Sequence, residues 1–199
     1  MTRVLQVARS VEEGSLYGLL FLLPFSKAAI EVTFALLFVT WGLSRLDSSR
    51  RMETVWRSLR VRRLALGLVA YLAVCALSIV VSDQPALSLR AFFSKWLEYL
   101  LFLVIVTDVA IRPGVARRSV GVLACSAALV VIEAVTQETL GKGLLRGYPL
   151  LTYGRMTGPY ENPVDLGAYL MVVIPVLLAS LVASRGIQRR WLTGLLIAL

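Results

Sequence analysis

Four apolar blocks decide what this chain can become: residues 64–82, 92–110, 120–136 and 164–184 each run for about 17 to 21 residues with few charges. At a helical rise of ~1.5 Å per residue, such a length matches a hydrocarbon layer ~30 Å thick. A further apolar region, 15–44, is interrupted by Pro24, Ser26, Lys27 and Glu31. With 58% hydrophobic residues over 199 positions and a mean hydropathy of +0.77, the chain is too apolar for a soluble domain of its size. These features predict an all-α fold, a polytopic transmembrane helix bundle of about six spans plus the start of a seventh.

The net charge of +9 does not point to nucleic acid, because the basic residues sit in short loops between apolar blocks and form no continuous groove-binding surface. It sets topology instead. Residues 45–63 contain seven arginines, so the positive-inside rule places this stretch on the cytoplasmic side. Block 64–82 then runs outward and 92–110 returns to a loop with Arg112, Arg117 and Arg118. Block 120–136 runs outward again, and 164–184 returns to Arg185, Arg189 and Arg190. Charge and alternation agree at each step.

Cys75 and Cys125 lie within apolar blocks, out of any metal-ligand spacing, and read as buried packing residues. The absence of His removes the commonest neutral-pH acid–base side chain and the commonest metal ligand.

Region 15–44 is either one kinked helix or a hairpin. The hairpin is favoured: beginning near Ser10 and turning at 24–27, it keeps Arg3 and Arg9 inside, although its first arm carries Glu12 and Glu13. No small-residue cleavage site follows, so the segment is expected to stay in the membrane. Met52, Val55, Trp56 and Leu59 recur at helical spacing among arginines, as in a helix lying on the lipid surface, and a solvated basic loop is the equal alternative. Arg90, Phe92, Lys95 and Trp96 suggest an interfacial approach to the next span. No repeat or linker divides the chain, so residues 1–199 are expected to form a single membrane domain. The apolar run 191–199 is too short to span and is expected to open a seventh helix, which makes the chain the N-terminal part of a longer protein.

The longest expected outer loop, 137–162, is rich in glycine and proline and carries Lys142, Arg146 and Arg155 on the side where basic residues are unusual. They are candidates for holding an anion. The loop ends at Asn162-Pro163-Val164-Asp165, where Asn162 suits an N-cap, Pro163 the first helical position and Asp165 the capping-box position. The helix start and its dipole, with Arg155 and the glycine backbone at Gly154 and Gly158, would suit a phosphate. Glu161 and Asp165, four apart, are either solvated capping charges or paired carboxylates for acid–base work. Glu98 and Glu133 stand within or beside spans, where ionisable groups are costly and face the protein interior, and either can orient an arginine. Lys27 and Glu31 read as a local i,i+4 pair.

The pattern R-x-x-G-x-x-x-N-P-x-x-x-G-x-Y-L over 155–170, followed by an apolar helix with Pro175, resembles the signature of the O-antigen ligase and O-antigen polymerase family. The opening Leu20-Phe21-Leu22-Leu23-Pro24-Phe25-Ser26 is also similar to that family's N-terminus, whereas Val164 stands where the family usually has asparagine. The resemblance implies a multi-helix membrane glycosyltransferase of the bacterial inner membrane. Such an enzyme moves a glycan from a polyprenyl-diphosphate carrier to a glycan or lipid acceptor at the outer face, in lipopolysaccharide or surface-polysaccharide biosynthesis, without metal or cofactor. The resemblance carries over Arg155 alone as a diphosphate-holding residue; Gly158 and Asn162 beside it, with Arg146, Glu133, Glu161 and Asp165 as supporting candidates, come from the loop and span reading above. The family's later outer-loop histidine has no counterpart here, so the chain alone is expected to be inactive. The buried charges and Pro175 also allow a transporter for a polar solute, and the missing histidine allows a non-catalytic membrane scaffold.

Overall fold

A computed structural model describes residues 2–46, 59–151, 154–184 and 186–199, and among these every regular element is a helix. In chain order they are α1 (Thr2–Leu22), α2 (Lys27–Leu46), α3 (Leu59–Val80), α4 (Pro85–Ala91), a π-helical turn (Phe92–Trp96), α5 (Leu97–Ala110), α6 (Val115–Leu140), α7 (Pro163–Ala183) and α8 (Ile187–Ala198). The stretch around Met52, Val55 and Trp56 and the side chain of Glu98 lie outside the described residues.

Region 15–44 is a hairpin. Helix α1 ends at Leu22, ahead of Pro24, whose ring cannot continue an α-helix, and α2 begins at Lys27, where Ser26 Oγ accepts the Ala29 N–H at 3.3 Å. The first arm is longer than expected, because it starts at Thr2 and carries Glu12 and Glu13 inside the helix.

Among the described residues, three helices are long and apolar enough to cross a membrane: Lys27–Arg45, Val115–Leu140 and Pro163–Ala183. The sequence predicted six spans. Helix α1 has sufficient length but contains Arg9, Glu12 and Glu13. Block 92–110 is divided between the π-helical turn and a 14-residue helix, and block 64–82 yields a shorter apolar stretch, Leu66–Val80. Trp96 at the end of the π turn sits edge-on to Tyr71 and Tyr99, with ring centroids 5.2 and 6.0 Å away.

Two cores hold the helices together. Leu123, Ala127 and Val130 of α6 meet Tyr169, Val173 and Leu177 of α7 and Leu192 of α8. Both α6 and α7 present these residues at three- and four-residue steps, the period of one helix face. The second core joins Leu16 of α1, Leu37 of α2, Ile105 and Val109 of α5 and Val115 of α6. The outward faces are apolar too, with Val32, Leu36, Val39 and Leu43 on α2 and Val172, Leu178 and Val182 on α7 exposed. A surface of this kind is suited to hydrocarbon rather than water. Cys75 and Cys125 were expected in the interior. Instead Cys75 is half-buried and Cys125 is exposed, because it lies beside the packed stripe of α6 and not on it.

One end of the bundle is ionic. Arg112, in the α5–α6 turn, donates to the fully buried Glu12 at 2.8 Å and approaches Glu13 at 3.8 Å. Arg45 at the end of α2 pairs with Asp108 near the end of α5, which also accepts the Trp41 indole N–H at 2.9 Å. Arg45 lies over the Trp41 ring, 5.8 Å from its centroid.

Candidate functional site

At the opposite end, the α6–α7 loop folds over the bundle on two polar residues projecting from the last turns of α6. Glu133 and Gln137, four apart and both fully buried, share one helix face. The Glu133 carboxylate accepts the Leu145 N–H at 2.8 Å and the Arg146 N–H at 3.0 Å. Gln137 Nε2 donates to the carbonyls of Tyr148 (3.2 Å) and Pro149 (3.0 Å) and to Thr157 Oγ1 (2.9 Å). Its Oε1 accepts the N–H groups of Thr157 (2.8 Å) and Gly158 (3.0 Å). A loop this long would otherwise bury backbone groups without partners, and these two side chains satisfy them. Short antiparallel bridges, Lys142 with Pro149 and Leu151 with Arg155, complete the loop.

The loop, the α1–α2 turn and the first three turns of α7 enclose a cleft of about 630 Å³. Its walls are apolar and aromatic, from Leu23, Phe25, Ile30, Leu123, Tyr160, Tyr169, Val172 and Val173. Its rim is polar, from Lys27, Arg146, Tyr148, Glu161 and Asp165. Neither Lys27 nor Arg146 has a carboxylate within ion-pair distance among the described residues, so two cations of separate elements face the cleft uncompensated at contact range. Lys27 and Glu31 therefore do not form the expected pair: Lys27 turns to the cleft and Glu31 is exposed.

The floor is tied to the hairpin. Ser126 Oγ donates to the carbonyl of Phe21 at 2.9 Å, one of the carbonyls left open at the end of α1, and accepts from the Tyr169 hydroxyl at 3.4 Å. On the rim, the Tyr148 hydroxyl donates to Glu161 Oε1 at 3.1 Å, and this bond is the main reason the phenol is held above its ordinary range. Burial pushes the Tyr160 phenol up more strongly.

The residues singled out from the sequence divide into two groups. Arg146, Glu161 and Asp165 come together on the cleft rim, and Glu133 lies beneath them. Arg155, Gly158 and Asn162 do not line the cleft. Arg155 is exposed, and its carbonyl accepts the Leu151 N–H at 3.4 Å. Gly158 is buried with φ of +58°, and its N–H is taken by Gln137, which leaves no open glycine backbone for a phosphate at that point. Asn162 caps α7 as expected, with Oδ1 accepting the Val164 N–H at 2.9 Å, and Pro163 opens the helix. The Asn162 carbonyl takes the Asp165 N–H at 3.1 Å, so the first amides of α7 are already occupied. Glu133 meets Arg146 at its backbone N–H.

Sequence reasoning missed Lys27 as a cleft residue and Gln137 as an anchor. Gln137 was readable in principle as a polar residue one turn beyond Glu133, had the helix been extended to Leu140. Nothing in the sequence places Lys27 beside Arg146, since 119 positions separate them and only tertiary packing joins them (146 − 27). Comparison of the chain with protein-family models, with curated proteins and with solved structures finds no match.

Proposed function

We propose that this chain forms the donor-binding part of a multi-pass membrane glycosyltransferase of the O-antigen ligase and polymerase type. In this reading a glycan passes from a polyprenyl-diphosphate carrier to an acceptor at the outer face of a bacterial inner membrane. The observation that carries it is the chemistry of the cleft: Lys27 and Arg146 on the rim above walls of Leu23, Ile30, Leu123, Val172 and Val173. A ligand that fits both parts has an anionic head and an isoprenoid or acyl tail. The motif over 155–170 narrows that class to a lipid-linked diphosphate.

Topology supports the placement. Arg9, Arg112, Arg117 and Arg118 gather at the ionic end, which the positive-inside rule assigns to the cytoplasm, and the cleft then faces outward. Leu140, Leu144 and Leu145 are exposed on and beside the loop, as expected of a segment resting at the level of the lipid headgroups. The finer six-span arrangement takes α1, α2, α3, the π turn with α5, α6 and α7 as crossings and α8 as the beginning of a seventh. The Glu12–Arg112 pair is what lets α1 take part. Helix α7 runs unbroken through Pro175, which favours this reading over a transporter built on broken helices.

In the transfer, the acceptor hydroxyl oxygen forms a bond to the anomeric carbon while the bond to the carrier oxygen breaks, the diphosphate leaves with the electron pair, and the hydroxyl proton passes to the departing diphosphate. Lys27 and Arg146 lower the barrier by neutralising charge that grows on the leaving diphosphate. Glu161 and Asp165 stand on the same rim to accept hydrogen bonds from sugar hydroxyls.

The test is binding of undecaprenyl diphosphate to the chain in nanodiscs, with phosphatidylglycerol as the competitor. Each charge-assisted contact is worth roughly 1.5–3 kcal/mol, so Lys27→Ala and Arg146→Ala should each weaken binding by about 10- to 100-fold. Arg155→Ala should have a smaller effect. Equal binding by the Lys27→Ala/Arg146→Ala double variant would refute the assignment of the cleft.

A further inference from the structure

We infer that Glu133 is a positioning residue for the anion site: its buried carboxylate fixes the backbone at 145–146 and thereby sets the Arg146 guanidinium at the rim of the cleft. This inference rests on the reading of the cleft as a diphosphate site.

Glu133 is fully buried and has no cationic partner among the described residues, a costly arrangement unless its charge is met by other donors. Two consecutive backbone N–H groups meet it, one on each oxygen: Leu145 to Oε2 and Arg146 to Oε1. Adjacent amides converge on one point only where the backbone curls around an acceptor, so the curl and the carboxylate depend on each other. Gly143 shows how closely the loop is wrapped, since a Cβ there would lie 2.3 Å from Glu133 Oε1.

The loop has two separable anchors. Gln137 holds the carbonyls of 148 and 149 and the amides of 157 and 158. Glu133 holds 145 and 146 only, the segment that carries the rim cation. Loss of Gln137 would loosen the loop as a whole. Loss of the Glu133 charge would leave most of the loop anchored and displace chiefly Arg146. A glutamine at 133 keeps one acceptor oxygen but turns an NH2 toward a backbone N–H, so one of the two bonds is replaced by a donor–donor contact.

The experiment is a double-mutant cycle on the full chain in detergent micelles, with farnesyl diphosphate as the probe and binding as the readout. Glu133→Gln should raise Kd about tenfold, Arg146→Ala by at least as much, and the double variant no further than Arg146→Ala alone. This coupling separates positioning from general support of the fold. If Glu133→Gln weakens binding by the same factor in the Arg146→Ala background, or does not weaken it in the parent, the inference is overturned. Should Glu133→Gln fail to fold, Gly143→Ala takes its place in the same cycle, because the added methyl displaces the carboxylate without changing any charge. Parental binding by Arg146→Ala and Lys27→Ala alike is a different failure: it removes the diphosphate reading itself, and this inference with it.

Discussion

Replacing Gln137 with methionine, a side chain of similar length and volume, removes a hub of five hydrogen bonds without opening a cavity. The Tyr148 carbonyl keeps the Gly143 N–H at 2.9 Å, and Pro149 is an exposed residue whose carbonyl can turn to water. The amides of Thr157 and Gly158 are buried and cannot. Each buried donor left unpaired costs about 1–3 kcal/mol, and partial water entry recovers some of the sum, so the loop should lose about 2–4 kcal/mol of local stability. At about 1.4 kcal/mol per factor of ten, the open state of the loop becomes roughly 30- to 1,000-fold more populated. Trypsin reports this directly, since Arg146 and Arg155 lie within the loop and cleavage follows the open population when reclosing is fast. In detergent at low protease, cleavage after Arg146 or Arg155 should accelerate by at least 30-fold in Gln137→Met, with helix content unchanged by circular dichroism. Cleavage within threefold of the parental rate would show that the Gln137 bonds do not hold the loop closed.

Two further outcomes follow from other parts of the structure. Arg112→Ala strands the buried Glu12 carboxylate, and with Arg112 itself partly exposed the cost should fall near the lower end of the usual range, about 3 kcal/mol by denaturant unfolding; adding Glu12→Gln should restore most of it. For Tyr148, the bond to Glu161 raises the phenol above its ordinary value of 10.0, so the rim contact is fully present below that pH and is lost as pH rises through the folded-state value. The difference in phenolate absorbance between the parent and Tyr148→Phe should therefore titrate above pH 10, and a midpoint at or below 10 would rule out the bond.

Local chemistry was legible in the sequence wherever one residue type acts on its own neighbours. Pro24 marked the hairpin, and Asn162-Pro163 marked the start of a helix that begins at Pro163 with the Asn162 cap formed. The helix ends at Leu140 were not legible, because Gln137, Glu138 and Thr139 read as loop by polarity. Gln137 is instead buried by a loop that folds back over it. The same cause divides the residues singled out from the sequence between the cleft and its surroundings. Arg155 was singled out by its place in a motif, yet the bridge from Leu151 to Arg155 leaves its side chain exposed, and Gly158 spends its N–H on Gln137. Arg146 was visible as a basic loop residue, but its backbone contact with Glu133 and its shared cleft with Lys27, from a turn more than a hundred residues earlier, come from tertiary packing.

The Glu12–Arg112 pair also imposes an order on assembly. The partners are 100 positions apart, so at ~5–20 residues per second of synthesis Glu12 waits about 5–20 seconds for its guanidinium. Throughout that interval α1 is a helix with Arg9, Glu12 and Glu13 and no counter-charge from the α5–α6 turn. Within a bilayer, charged side chains left so would cost several kcal/mol each. Helix α1 packs against α2 through Leu16 and Leu37 before the α5–α6 turn is made, and Glu12 meets Arg112 only afterwards. The ionic end of the bundle is therefore completed after the α1–α2 hairpin.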